Sequence, residues 1–179
     1  MINYQQFALS AAPRTGAGWF MKACETAGFQ ADSGDVHQPQ QHTGFSVSLV
    51  RNPYDWLVSL HLCCKGRHVS NRLIRELLRL ADRYADTHDF IQAYLTYCPG
   101  EVTRAFDSYP VSTVLRMEDF PWAVTDFLQP FGVPAITLWK IEQEPAINCR
   151  QGIYHLPNFN LRSMVMRADK EFCERYNYL

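Results

Sequence analysis

No apolar run in this chain approaches 18 residues, so no segment has the length of a membrane-spanning helix. The opening residues, Met1-Ile2-Asn3-Tyr4-Gln5-Gln6, have neither the basic start nor the long apolar stretch of a secretory leader, and a soluble cytoplasmic protein is expected. Blocks of like charge and basic arms are missing too, and the formal net charge is −1. That balance gives no reason to expect nucleic acid or a membrane surface as partner, and any basic site has to be local. The six cysteines form no C-x-x-C pair, and most sit among apolar residues, where a reduced thiol behaves as a small hydrophobe. All six are read as thiols. A zinc site from Cys63 and Cys64 with His61 or His68 has the wrong ligand spacing, so no metal is expected. Neither repeats nor low-complexity segments are present.

What is present suffices for one domain over residues 1–179, since 47% of the residues are apolar and 13% aromatic, ordinary values for a globular chain. Its organising stretch runs from Phe7 to Phe20. Phe7-Ala8-Leu9 is a short apolar run that reads as a buried parallel strand; Pro13, Gly16 and Gly18 are turn residues; an apolar segment compatible with a helix follows from about Gly18 to Ala27, with Gly28 as its stop. A loop between strand and helix points successive backbone N–H groups at one spot and suits a phosphate or sulfate, and Arg14 adds a fixed positive charge. The loop differs from the NTPase version, because the glycines are followed by Trp19 and Phe20 where the Walker pattern has Gly-Lys-Ser/Thr, and magnesium has no evident first ligand.

Residues 32–44 are polar and read as a loop. A second strand follows at Phe45–Val50 and ends at Arg51-Asn52-Pro53, where Asn52 is placed to cap a helix and Pro53 to occupy its first position. That helix carries Trp56, Leu57, Leu60 and His61 on one side. In an open parallel sheet, ligands bind outside the carboxyl ends of the strands, so two strand-to-helix junctions with an arginine each can form the two ends of one bis-anionic site.

Here the residues match a family. Val50-Arg51-Asn52-Pro53-Tyr54-Asp55-Trp56-Leu57-Val58-Ser59 resembles the 3′-phosphate motif of the sulfotransferases that use 3′-phosphoadenosine 5′-phosphosulfate (PAPS), R-N-P-x-D with a serine eight residues after the arginine. Pro13-Arg14-Thr15-Gly16-Ala17-Gly18-Trp19 is similar to the same family's 5′-phosphosulfate loop, P-[KR]-[ST]-G-T-T-W. Val114-Leu115-Arg116-Met117-Glu118-Asp119-Phe120 resembles the family's strand ending in R-Y-E-D-[FL], followed by a helix containing Phe127, Leu128 and Phe131. Cys149-Arg150-Gln151-Gly152 resembles the late R-K-G loop over the 3′-phosphate, and Phe172 to Tyr178 is similar to the aromatic C-terminal helix. The motifs occur in the family's order and leave only about residues 65–110 uncovered.

The resemblance implies an α/β fold with a P-loop-like, short, mainly parallel β-sheet flanked by helices. It implies transfer of a sulfuryl group from PAPS to a hydroxyl or amine acceptor, with release of 3′-phosphoadenosine 5′-phosphate (PAP) and no metal. By it, Arg14, Thr15, Gly16, Ala17, Gly18 and Trp19 bind the 5′-phosphosulfate end, and Arg51, Ser59, Arg150 and Gly152 hold the 3′-phosphate. Trp19 is matched to an aromatic against the adenine ring, or is a core tryptophan. Ala17 and Gly18 replace two hydroxyl residues of the family loop, which leaves backbone donors and the Arg14 fork to hold oxygens. The base is matched to His37, since Asp35-Val36-His37-Gln38-Pro39 keeps the H-x-P of K-[ST]-H-x-P; His42 is the competitor. Arg14 is counted with His37 as catalytic.

Other readings stay open: a module that binds PAP or PAPS without transfer, and a P-loop kinase-like phosphotransferase. A helix over Ser70–Ala85 carries Leu73, Leu77, Leu80 and Tyr84 on one face. Its stripe of Arg72, Arg75, Arg79 and Arg83 is a solvated face with acidic neighbours or a surface for an anionic acceptor. Another helix is expected over Asp89–Tyr97. The acceptor is a small molecule or glycan hydroxyl whose identity the sequence leaves undefined.

Overall fold

The computed structural model describes residues 1–32, 34–38, 44–64, 74–145 and 158–179. In chain order the first elements are β1 (Ile2–Asn3), β2 (Ala8–Leu9), α1 (Ala17–Thr26), β3 (Ser46–Val50) and α2 (Pro53–Cys64). There follow α3 (Arg75–Arg83), α4 (Thr87–Tyr97), α5 (Glu101–Asp107) and β4 (Thr113–Arg116). The last are α6 (Trp122–Leu128), α7 (Ala135–Glu142), α8 (Phe159–Ala168) and α9 (Lys170–Arg175). Short 3₁₀ turns occupy Met117–Asp119 and Gln129–Phe131. Contacts group the chain into two compact units, one formed by Met1–Val50 with Tyr109–Ile153 and the other by Arg51–Ser108 with Tyr154–Leu179.

The first unit is built on a four-stranded mixed sheet in the order β1-β2-β3-β4. β2 pairs with β3 in parallel, Leu9 opposite Val47, and β3 pairs with β4 in parallel, Leu49 opposite Leu115. The parallel pairings agree with the reading of two strand-to-helix junctions. The antiparallel edge strand β1, with Ile2 opposite Leu9, was not expected, because two residues carry no periodic signal. Every residue of β3 is buried, as a central parallel strand requires.

Phe7 anchors the core. Its ring lies 5.4 Å from Phe29, 5.1 Å from Phe127 and 5.1 Å from Phe131, edge-on or tilted, the arrangements that ring quadrupoles favour. Phe20, Ala23 and Cys24 supply the buried face of α1, and burial pushes the Cys24 thiol up to about 12.

The other unit is helical in its described residues. Trp56 of α2 packs 5.2 Å from Phe106 of α5, and Phe106 lies 4.8 Å from Phe172 of α9. His61 is buried and stacked 4.9 Å from Phe90; one ring nitrogen contacts Thr87 Oγ1 and the other donates to the Tyr84 carbonyl, each at 2.9 Å. Both nitrogens of this histidine are therefore used within the core. The expected helix over Ser70–Ala85 is described from Arg75 to Arg83, with Arg72 and Leu73 outside the described residues. Arg75, Arg79 and Arg83 are exposed and Arg79 pairs with Glu76 at 2.6 Å, the solvated face with an acidic neighbour.

Candidate anion-binding and active site

The turn between β2 and α1 has the backbone that its sequence suggests. Arg14 stands at φ 68° and Gly16 at φ 90°, so the chain passes twice through the left-handed region before α1 starts. Glycine adopts that conformation freely, whereas for arginine it costs on the order of 1 kcal/mol. Gly16 is also close-packed, since an added Cβ would meet Met117 Cγ and Phe120 Cε2 at 3.3 Å. Gly18, by contrast, is an ordinary exposed residue in the first turn of α1.

No side chain caps α1 and its first turn holds no acidic residue, so neither competes with an anion for its N–H groups. Arg14 is half-buried beside this helix start. The donor set therefore fits a phosphate or sulfate oxygen. Thr15 is buried, and its hydroxyl donates to the Ala12 carbonyl at 2.7 Å. Ala17 is buried as well. Trp19 is 8% exposed and packs 5.3 Å from Phe120, which gives it the place of a core tryptophan.

His37 is tied to the same loop. Its Nδ1 lies 2.8 Å from the Ala11 carbonyl oxygen, which can only accept, so Nδ1 carries the proton in the neutral ring. Nε2 then holds the lone pair, and it makes no hydrogen bond among the described residues. The Ala11 N–H donates to the Val36 carbonyl at 2.9 Å, so both backbone groups of Ala11 are committed to the His37 segment. His42 lies outside the described residues.

At the second junction Arg51, Asn52 and α2 belong to the helical unit. β3 ends at Val50, and Asn52 Oδ1 accepts from the N–H groups of Tyr54 at 3.1 Å and Asp55 at 3.4 Å, so the expected cap forms with Pro53 as the first helical residue. Arg51 directly precedes this cap and Ser59 sits in the second turn of α2, and both are half-buried. Arg150 and Gly152 lie outside the described residues.

The third matched stretch adopts strand followed by turn: β4 ends at Arg116, whose Nε lies 3.5 Å from Asp119 Oδ2. Sequence reasoning missed that Met117 and Phe120 of this stretch are the wall against which Gly16 packs. It also missed Tyr109, whose hydroxyl donates to the His37 carbonyl at 3.0 Å. An open groove lined by Tyr4, Gly18, Met21, Lys22, Glu25 and Phe29 runs along α1 and shares only Gly18 with the expected site residues.

No protein-family model, curated protein or solved structure matches the chain. The fold stands as an α/β arrangement with a mixed four-stranded sheet and flanking helices. None of the described helices is long and apolar enough to cross a membrane.

Proposed function

We propose that the chain is a PAPS-dependent sulfotransferase with a P-loop-like sulfotransferase fold, which moves a sulfuryl group to a hydroxyl or amine acceptor and releases PAP. One observation carries the reading: the His37 imidazole is fastened through Nδ1 to Ala11, two residues ahead of the Pro13–Gly18 loop, with Nε2 left as proton acceptor. A base and an anion-binding turn thus share one short stretch of backbone. The ordered motifs of the sequence add a second anionic end at Arg51 and Ser59.

PAPS, when bound, supplies the transferable sulfuryl group. Arg14 and the N–H groups at the start of α1 bind and orient its 5′ end, and Arg51, Ser59, Arg150 and Gly152 bind the 3′-phosphate. His37 Nε2 takes the proton of the acceptor hydroxyl. Fixed positive charge and alignment contribute most where little covalent chemistry is asked of the protein, as in phosphoryl transfer.

A non-catalytic PAP-binding module is the second reading. Its support is the Thr15 hydroxyl, which donates to Ala12, together with the absence of hydroxyls at Ala17 and Gly18. The two readings separate on PAP release from PAPS with a panel of hydroxyl and amine acceptors, for wild type and His37→Ala. An enzyme releases PAP in an acceptor-dependent manner, and loss of the base lowers the rate about 10²–10⁴-fold while PAP still binds. PAP binding with no acceptor-dependent release in the wild type selects the module.

A further inference from the structure

The His37 turn is gripped at each of its carbonyls. That of Val36 accepts from the Ala11 N–H at 2.9 Å, and that of Gln38 accepts from Ser10 Oγ at 3.2 Å. The middle one, on His37 itself, accepts from the Tyr109 hydroxyl at 3.0 Å. Asp35 Oδ1 takes the His37 N–H at 2.9 Å from the exposed side of the turn. Tyr109 is 5% exposed, so its hydroxyl is delivered from inside the protein.

The residue is also mounted rigidly. Three positions later, Ser112 exchanges hydrogen bonds with Ser46 at the start of β3. Its Oγ donates to the Ser46 carbonyl at 2.9 Å and accepts from the Ser46 N–H at 2.9 Å, while its own N–H donates to Ser46 Oγ at 3.1 Å. The approach to β4 is thereby pinned to the centre of the sheet, and Tyr109 reaches from that anchor to the His37 peptide.

We propose that Tyr109 is a positioning residue for His37: its hydroxyl fixes the His37–Gln38 peptide plane and so keeps the imidazole seated on the Ala11 carbonyl with its proton on Nδ1. Without that hydroxyl the plane keeps only the bond from the Gln38 N–H to the Asp35 carbonyl at 3.1 Å, and this looser hold lets the ring leave Ala11 more often. A neutral histidine free in water favours the opposite tautomer, with the proton on Nε2 and no lone pair there to receive one. Tyr109 therefore acts through the tautomer, with no contact to a reacting atom. That His37 is the base rests on the proposed sulfotransferase reading; the tautomer does not.

The experiment is ¹⁵N NMR of histidine-labelled protein at a pH where the ring is neutral, with His37 assigned through His37→Gln. Wild type gives a protonated-type Nδ1 and an unprotonated-type Nε2. Tyr109→Phe keeps the ring in the core and moves both resonances towards the opposite tautomer. Asp35→Ala, which loosens the same turn from its exposed side and spares the core, carries the same expectation. In a transfer assay, Tyr109→Phe lowers kcat about tenfold with KM for PAPS nearly unchanged, the signature of a misplaced group and not of lost binding. Unchanged His37 resonances in folded Tyr109→Phe overturn the inference. A shifted tautomer in a protein without transfer activity supports the positioning role and counts against the enzyme reading alone.

Discussion

Gly16 combines a left-handed backbone, φ 90°, with a packed surrounding in which a Cβ would stand 3.3 Å from both Met117 and Phe120. Gly16→Ala is expected to destabilise by about 1–2 kcal/mol, measured by urea denaturation, because alanine meets both the conformational cost and the crowding. A neutral effect would mean that the loop does not pass through the left-handed region. That Gly16 turns the chain was legible in the sequence, since glycine between an apolar run and a helix-compatible segment is punctuation. Its neighbours were not, because Met117 and Phe120 lie about a hundred residues on and nothing local marks them. The same holds for His37. The H-x-P match marked the residue, and Asp35 two positions ahead suits the turn that forms. Neither revealed the tautomer, which depends on where the Ala11 carbonyl comes to lie.

Elements with a local signal were read well, and those assembled from distant partners were not. α2 started at Pro53 as expected, because Asn52 and Pro53 form a cap that needs no tertiary partner. α1 was expected from about Gly18 to Ala27 and runs from Ala17 to Thr26. α5, by contrast, was not anticipated. It holds only seven residues, and a remote carboxylate helps to fix its first turn. Asp169, between α8 and α9, accepts from the Thr103 N–H and Oγ1 at 2.9 Å each and from the Tyr94 hydroxyl, which itself accepts from the Gly100 N–H at 3.1 Å. One buried side chain thus ties α4, α5 and α8 together.

Burial raises the Asp169 carboxyl above the usual carboxylate range, with the hydrogen bonds from Tyr94 and Thr103 opposing it. Asp169→Ala strands the buried Tyr94 hydroxyl and two part-buried donors of Thr103, and is expected to cost about 3 kcal/mol in urea denaturation. The pH dependence has a definite sign. The folded state holds this proton more tightly than the unfolded state, whose carboxyl titrates near about 4. Asp169's contribution to stability therefore improves as pH falls from above its raised value towards that of the unfolded chain, and is constant below it. The stability of wild type relative to the non-titrating Asp169→Asn should rise as the pH is lowered through this window. A relative fall would contradict a raised carboxyl.

At the scale of the molecule, the sequence was read as one domain over residues 1–179, and the contacts group it into two units with crossings near residues 50, 108 and 153. No change of composition marks these points. The first falls between a strand and the helix two residues later, with no linker. The α/β class was legible because two short apolar runs each lead into a helical segment, the second through the Asn52–Pro53 cap, and the strands concerned pair in parallel. The central claim proposed for the chain is that PAP binding depends on Arg14 and on Arg51.

Calorimetric titration with PAP, beside ATP with magnesium, for wild type, Arg14→Ala and Arg51→Ala tests that claim most directly. The account predicts PAP binding with little ATP binding, and a loss of roughly tenfold to a hundredfold for each variant, the worth of one charge-assisted contact to phosphate. Folded wild-type protein that leaves PAP unbound, or binding that neither substitution weakens, would contradict it.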